Sequence, residues 1–134
     1  MPIYALGVNT EFTAKHYLVG GDFGPEGDLH AHDYRVEVVL EGDELDEHGF
    51  LVDIVRVKAE LARIVDHYGD AILNDLPELE GKNPGCEEFS RVLAESLRDG
   101  LDAGSLSRLS SLSVKIWENT EAWAQCRLEL TTSE

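Results

Sequence analysis

Two stretches near the N-terminus alternate with a period of two. From Tyr4 to His16 the even positions read Tyr4, Leu6, Val8, Thr10, Phe12, Ala14 and His16. That largely apolar face predicts a half-buried β-strand. A loop carrying Gly20, Gly21, Gly24 and Gly27 leads to a second run that starts at His30. Its even face is His30, His32, Tyr34, Val36, Val38 and Leu40, with Asp33, Arg35 and Glu37 opposite. Beyond a turn-rich segment, the period changes. Val57, Leu61, Ile64, Val65 and Tyr68 form a helical stripe of the kind that faces a sheet. Phe89, Val92, Leu93 and Leu97 form another, with Pro84 just before it and Gly100 just after.

The chain then returns to period two. Leu112, Val114, Ile116 and Glu118 alternate, as do Ala122, Ala124, Cys126, Leu128 and Leu130. Only Asn119, Thr120 and Glu121 separate these runs, so they predict a hairpin. The order strand, strand, helix, helix, strand, strand predicts an α+β domain with two helices on one face of a four-stranded antiparallel sheet. The exposed edges of such a sheet are templates for pairing with further copies.

Composition narrows the function. At 134 residues with 43% hydrophobic positions, the chain is expected to form one domain, residues 1–134. No apolar run approaches the roughly 18 residues that span a bilayer, and the N-terminus lacks the pattern of a signal peptide. The expectation is a cytoplasmic protein. Acidic residues number 27 against 11 basic ones, a formal charge of −16. Such a surface repels phosphate backbones and anionic lipid, so neither nucleic acid nor membrane is an expected partner. Cys86 and Cys126 are far apart and in no CxxC pair, which argues against a thiolate metal site or a disulfide framework.

His30 and His32 lie two apart on a strand, so both imidazoles share a face, with Cα atoms about 6–7 Å apart. His16 ends the neighbouring strand on its apolar face, where a hairpin partner would bring it beside the pair. Three histidines that leave one position open suit a catalytic zinc. Solvated strand residues are the ordinary alternative for an isolated HxH. A shared ligand accounts for all three on faces otherwise apolar, where unpaired imidazoles are costly.

Several segments resemble the family of 6-pyruvoyl-tetrahydropterin and 6-carboxytetrahydropterin synthases. Phe12-Thr13-Ala14-Lys15-His16 is similar to its F-x-A-x-H, and His30-Ala31-His32 to its H-G-H. Gly49-Phe50-Leu51-Val52-Asp53, Leu73-Asn74-Asp75 and Asn83-Pro84 with Glu87 follow its later motifs, as do Val114–Glu118 and Trp123-Ala124. The resemblance covers essentially the whole chain. It implies the tunnelling fold and a homohexamer built as a dimer of trimers. It implies Zn2+ held by His16, His30 and His32. It further implies a small pterin-like substrate anchored by Glu118, with Glu87 as a second binding residue. The implied activity is a zinc-dependent lyase acting on the side chain of dihydroneopterin triphosphate or a related pterin.

The sequence departs from the family where protons are moved. The family's basic cysteine, four residues before H-x-H, is replaced by Glu26. The slots of its Asp-His dyad fall on Gly69 and Asp70, and an Asp66-His67 pair stands one helical turn early. The threonine of its N-P-T is Gly85. Glu26, partly desolvated with a raised pKa, is the expected general base. His67 or Asp70 is expected in the second proton-transfer role. Two other readings stay open: a paralogue acting on a non-pterin polyol or carbonyl compound, and a non-catalytic subunit that keeps the metal for stability.

Overall fold

The computed structural model describes residues 2–130. Four strands form one antiparallel sheet in the order β1 (Tyr4–His16), β2 (His30–Gly42), β3 (Ser111–Trp117) and β4 (Trp123–Glu129). The register aligns the apolar faces: Val8 opposes Val38, Phe12 opposes Tyr34, and Val36 opposes Ile116. In β2 the alternation is complete, with Tyr34, Val36, Val38 and Leu40 buried and Asp33 and Arg35 exposed. That alternation locks the register, because a slip of one residue would turn every apolar side chain to solvent.

Both long helices lie in the connection from β2 to β3. Helix α1 (Ile54–Tyr68) starts at Asp53, whose side chain accepts from the Val55 amide, and buries Val57, Leu61, Ile64 and Tyr68 against β1. Helix α2 (Cys86–Gly100) buries Phe89, Val92, Leu93 and Leu97 against β3 and β4. A short third helix, α3 (Ala103–Arg108), adds to the two expected. Its six residues are too few to display a period. Its signal is local: Asp102 accepts from the Ser105 amide and hydroxyl as an N-cap.

Phe12, Tyr34, Tyr68 and Phe89 meet between sheet and helices, with ring centroids 5.3–6.5 Å apart. This aromatic block fills the sheet–helix space toward the loop end of the β1–β2 hairpin, where Phe12 opposes Tyr34. Another device protects the edge there. The Asp70 amide donates to the Thr13 carbonyl at 2.6 Å, and the Lys15 amide donates to that of Ala71 at 2.8 Å. Residues 70–72 thus run beside the last turn of β1 and cover its edge. Asp70 makes this approach in the left-handed region, at φ 60°, which Asp tolerates better than most residues.

Among the described residues, no helix is long and apolar enough to cross a membrane.

Candidate metal centre

His16 and His30 oppose each other across the last pair of the β1–β2 ladder, and His32 follows on the same face. The three rings meet edge to face, with centroids 4.6, 5.0 and 4.9 Å apart. The Nε2 atoms of all three are buried and lack a hydrogen-bond partner. One such nitrogen without a partner would be costly, and three together would be costlier still.

The opposite ring nitrogens explain how the Nε2 atoms are aimed. His16 Nδ1 lies 2.6 Å from the Pro84 carbonyl, and His30 Nδ1 lies 2.7 Å from that of Asp28. A carbonyl accepts only, so each Nδ1 carries the proton and each Nε2 keeps its lone pair free. This is the outer support usual for metal-binding histidine. Burial, the largest cause, holds the His16 pKa below the ordinary imidazole value, and the facing histidines add to it. Nε2 therefore stays available near neutral pH. The three imidazoles, with their orphaned nitrogens, fit a borderline metal such as zinc.

Two asparagines hold the chain that leaves His16. The Tyr17 amide donates to Asn74 Oδ1 at 3.0 Å while Asn74 Nδ2 donates back to the Tyr17 carbonyl at 2.9 Å. Asn83 does the same for Val19, at 2.7 and 3.0 Å. Each side chain imitates a strand neighbour. The segment beyond them closes on itself, as the Leu18 amide donates to the Glu26 carbonyl at 3.0 Å. A 3₁₀ turn (Gly24–Gly27) follows Gly20 and precedes β2, and Gly20 and Gly24 adopt positive φ. These constraints return Glu26 to the histidines.

The Glu26 carboxylate reaches 2.9 Å from His30 Nε2, out of line for a hydrogen bond. Ligand atoms of His16, Glu26, His30 and His32 all lie within 4.8 Å of one another. The side chain of Glu26 keeps 55% of its exposure. Its turn is exposed throughout.

A cavity of about 410 Å³ opens on this cluster, lined by His16, Glu26, Cys86, Glu87, Glu118 and Trp123 among others. Glu118 lies just past β3, its amide still bonded to the Ala122 carbonyl at 3.2 Å. Its carboxylate stands 3.8 Å from His32 Nε2, and the Cys86 thiol donates to it at 3.5 Å. Burial, helped by the charge of Glu118, pushes the Cys86 thiol up to about 12. The thiol is therefore a neutral donor. Sequence reasoning passed over Cys86; the available signal was its place at the first position of α2, beside two motif residues.

His67 and Asp70 do not line this cavity. His67 projects from α1 toward Glu78, at 2.8 Å, and Glu78 also accepts from the Tyr68 hydroxyl. Asp70 lies on the edge strip beside Thr13.

A family model described as 6-pyruvoyl tetrahydropterin synthase matches residues 5–129. The chain belongs to this family. It is 27% identical over 100 residues to the 6-carboxy-5,6,7,8-tetrahydropterin synthase of Bacillus subtilis, covering 75% of this chain and 66% of that one. This chain therefore spans slightly under two thirds of that relative. A putative 6-carboxy-5,6,7,8-tetrahydropterin synthase of Pyrococcus horikoshii is 25% identical, covering 90% and 87%. The fold matches the 6-pyruvoyltetrahydropterin synthase of Plasmodium vivax at a TM-score of 0.82 and 16% identity, over 96% of this chain and 99% of that one. The Caenorhabditis elegans enzyme matches at 0.81 and 20% identity, over 96% and 98%. The α+β tunnelling fold expected from the sequence is the fold observed.

Proposed function

We propose that this tetrahydropterin-synthase family member is a zinc-dependent lyase acting on the side chain of dihydroneopterin triphosphate or a close pterin. The observation that carries the reading is the cluster of three partnerless Nε2 atoms, whose member His16 lines a cavity together with Glu26 and Glu118. His16, His30 and His32 would hold the metal, which supplies Lewis acidity toward a substrate oxygen when bound. Glu118, with Cys86 steadying one oxygen, anchors the pterin ring, because a carboxylate accepts two parallel N–H bonds from a guanidine-like edge. Glu87 at the cavity wall is a second binding group. Glu26 is the general base; it reaches the cluster from a turn tied down on both sides. The catalytic-residue variants of the Plasmodium vivax enzyme replace a glutamate, which favours a carboxylate in this role.

His67 or Asp70 fills the second proton-transfer role in this proposal. Neither lines its own chain's cavity, so each would serve a neighbouring protomer. That requirement accords with a homohexamer assembled through the edge of β4 and the part of the β1 edge that residues 70–72 leave uncovered, in the cytoplasm.

The second reading, a non-pterin polyol or carbonyl substrate, draws on one observation. Among the described residues, the cavity is lined by Glu26, Glu87 and Glu118 and by no Lys or Arg, although a triphosphate needs cationic partners. Incubation of zinc-loaded protein with dihydroneopterin triphosphate, with and without chelator, separates the two readings. A chelator-sensitive pyruvoyl, carboxy or hydroxymethyl pterin, detected by mass spectrometry, is the expected product. Unchanged substrate refutes the pterin reading.

A further inference from the structure

We infer that Glu26 is itself the fourth metal ligand of the resting protein, displaced when substrate enters. The inference rests on the metal reading above and deepens it.

The geometry distinguishes a ligand from a nearby base. Metal–nitrogen bonds of about 2.0–2.1 Å place the ligand atoms of a tetrahedral site roughly 3.3 Å apart. Glu26 Oε2 lies 2.9 Å from His30 Nε2, close to such an edge. At that distance a carboxylate and an imidazole N–H would ordinarily be hydrogen-bonded. They are not, because the carboxylate is out of line and His30 keeps its proton on Nδ1, beside the Asp28 carbonyl. Two acceptor atoms in near contact would repel, and His30 Nε2 is buried without a donor. A shared cation between them removes the repulsion, and the partnerless Nε2 atoms of His16 and His32 lie in the same space.

The three histidines stand on the β1–β2 ladder, and His16 is buried. Glu26 comes from a loop turn and is largely exposed, so it is the one member that can leave without disturbing the sheet. The resting set of three histidines and one carboxylate has no open position. An incoming hydroxyl would take the place of Glu26, and the freed carboxylate would then stand beside the entering group, able to accept its proton. One residue thus closes the site in the absence of substrate and serves as base in its presence.

The probe is Co2+ alone, added to metal-free protein, with the visible d–d spectrum reporting the donor set and chelator competition reporting affinity. Glu26→Gln is expected to shift the bands. It is also expected to weaken binding by at least the roughly 10–100-fold that loss of an outer-shell partner costs. Glu118→Gln removes an equal charge 3.8 Å from His32 Nε2 and is expected to leave the spectrum unchanged. With Glu26→Ala, added acetate is expected to restore the wild-type bands. An unchanged spectrum and affinity in Glu26→Gln overturns the inference and leaves the lyase proposal intact. Because no pterin is present, a failure of turnover does not affect the result. Absence of Co2+ binding by the wild type overturns both the inference and the metal reading.

Discussion

Asn74→Ala tests whether the asparagine clamp, rather than the strand alone, sets the position of His16. The substitution removes the acceptor for the Tyr17 amide and the donor to the Tyr17 carbonyl. Both bonds are half-buried, so water replaces them poorly. At a net value of about 0.5–1.5 kcal/mol for each bond, the loss is about 1–3 kcal/mol. For a chain of this size that is a fall in melting temperature of about 3–5 °C per kcal/mol. The assay is urea unfolding of metal-free protein at one fixed concentration, since assembly would otherwise shift the apparent stability. The midpoint should fall while the slope stays constant. Asn83→Ala removes a similar pair of bonds to Val19, but these are exposed, and the loss should be smaller than for Asn74. Asn74→Ala should also weaken metal binding, because Tyr17 follows the ligand His16 directly. A loss for Asn74 below about 0.5 kcal/mol, or one no larger than for Asn83, refutes the reasoning.

Two further outcomes are expected. Cys86→Ala deprives Glu118 of its thiol donor and should raise KM for the pterin about 2- to 10-fold. Neither kcat nor metal content should change, and a fall in kcat with constant KM would contradict the positioning role. Asp102→Ala should cost about 1 kcal/mol at neutral pH through loss of the α3 cap. Hydrogen bonds from the Ser105 hydroxyl and amide hold the Asp102 carboxyl below its ordinary value of 3.8. Its folded pKa is depressed, so the stabilisation is present above that value and lost as pH falls through the folded one. A stability gap between the two proteins that persists at acid pH would refute the assignment.

The candidate site was legible to different depths. The histidines could be read because strand periodicity is rigid: two residues apart means one face, and the face was apolar elsewhere. Their convergence with His16 needed only a hairpin, and the observed register pairs His16 with His30. Glu26 is reached only through the resemblance, because a loop residue carries no periodicity. Exposure of a loop carboxylate depends on what covers the loop, and residues 21–29 are exposed throughout. Asn74 and Asn83 were recognised as motif residues without a role. Their role is to replace strand partners for Tyr17 and Val19, residues 57 and 64 positions away in the chain.

The sequence by itself determined the four strands, the two long helices, the shared face of the three histidines and the acidic surface. All of these follow from local period and composition, which are properties of neighbouring residues. Only the tertiary structure decided that Pro84 orients His16, that Cys86 supports Glu118 and that Glu26 reaches the histidines while His67 turns to Glu78. Each of these pairs, apart from Glu26 and its histidines, joins segments that no periodicity relates. Their distances come from how the helices pack across the sheet and how the glycine-rich loop folds back, and those depend on the whole core at once.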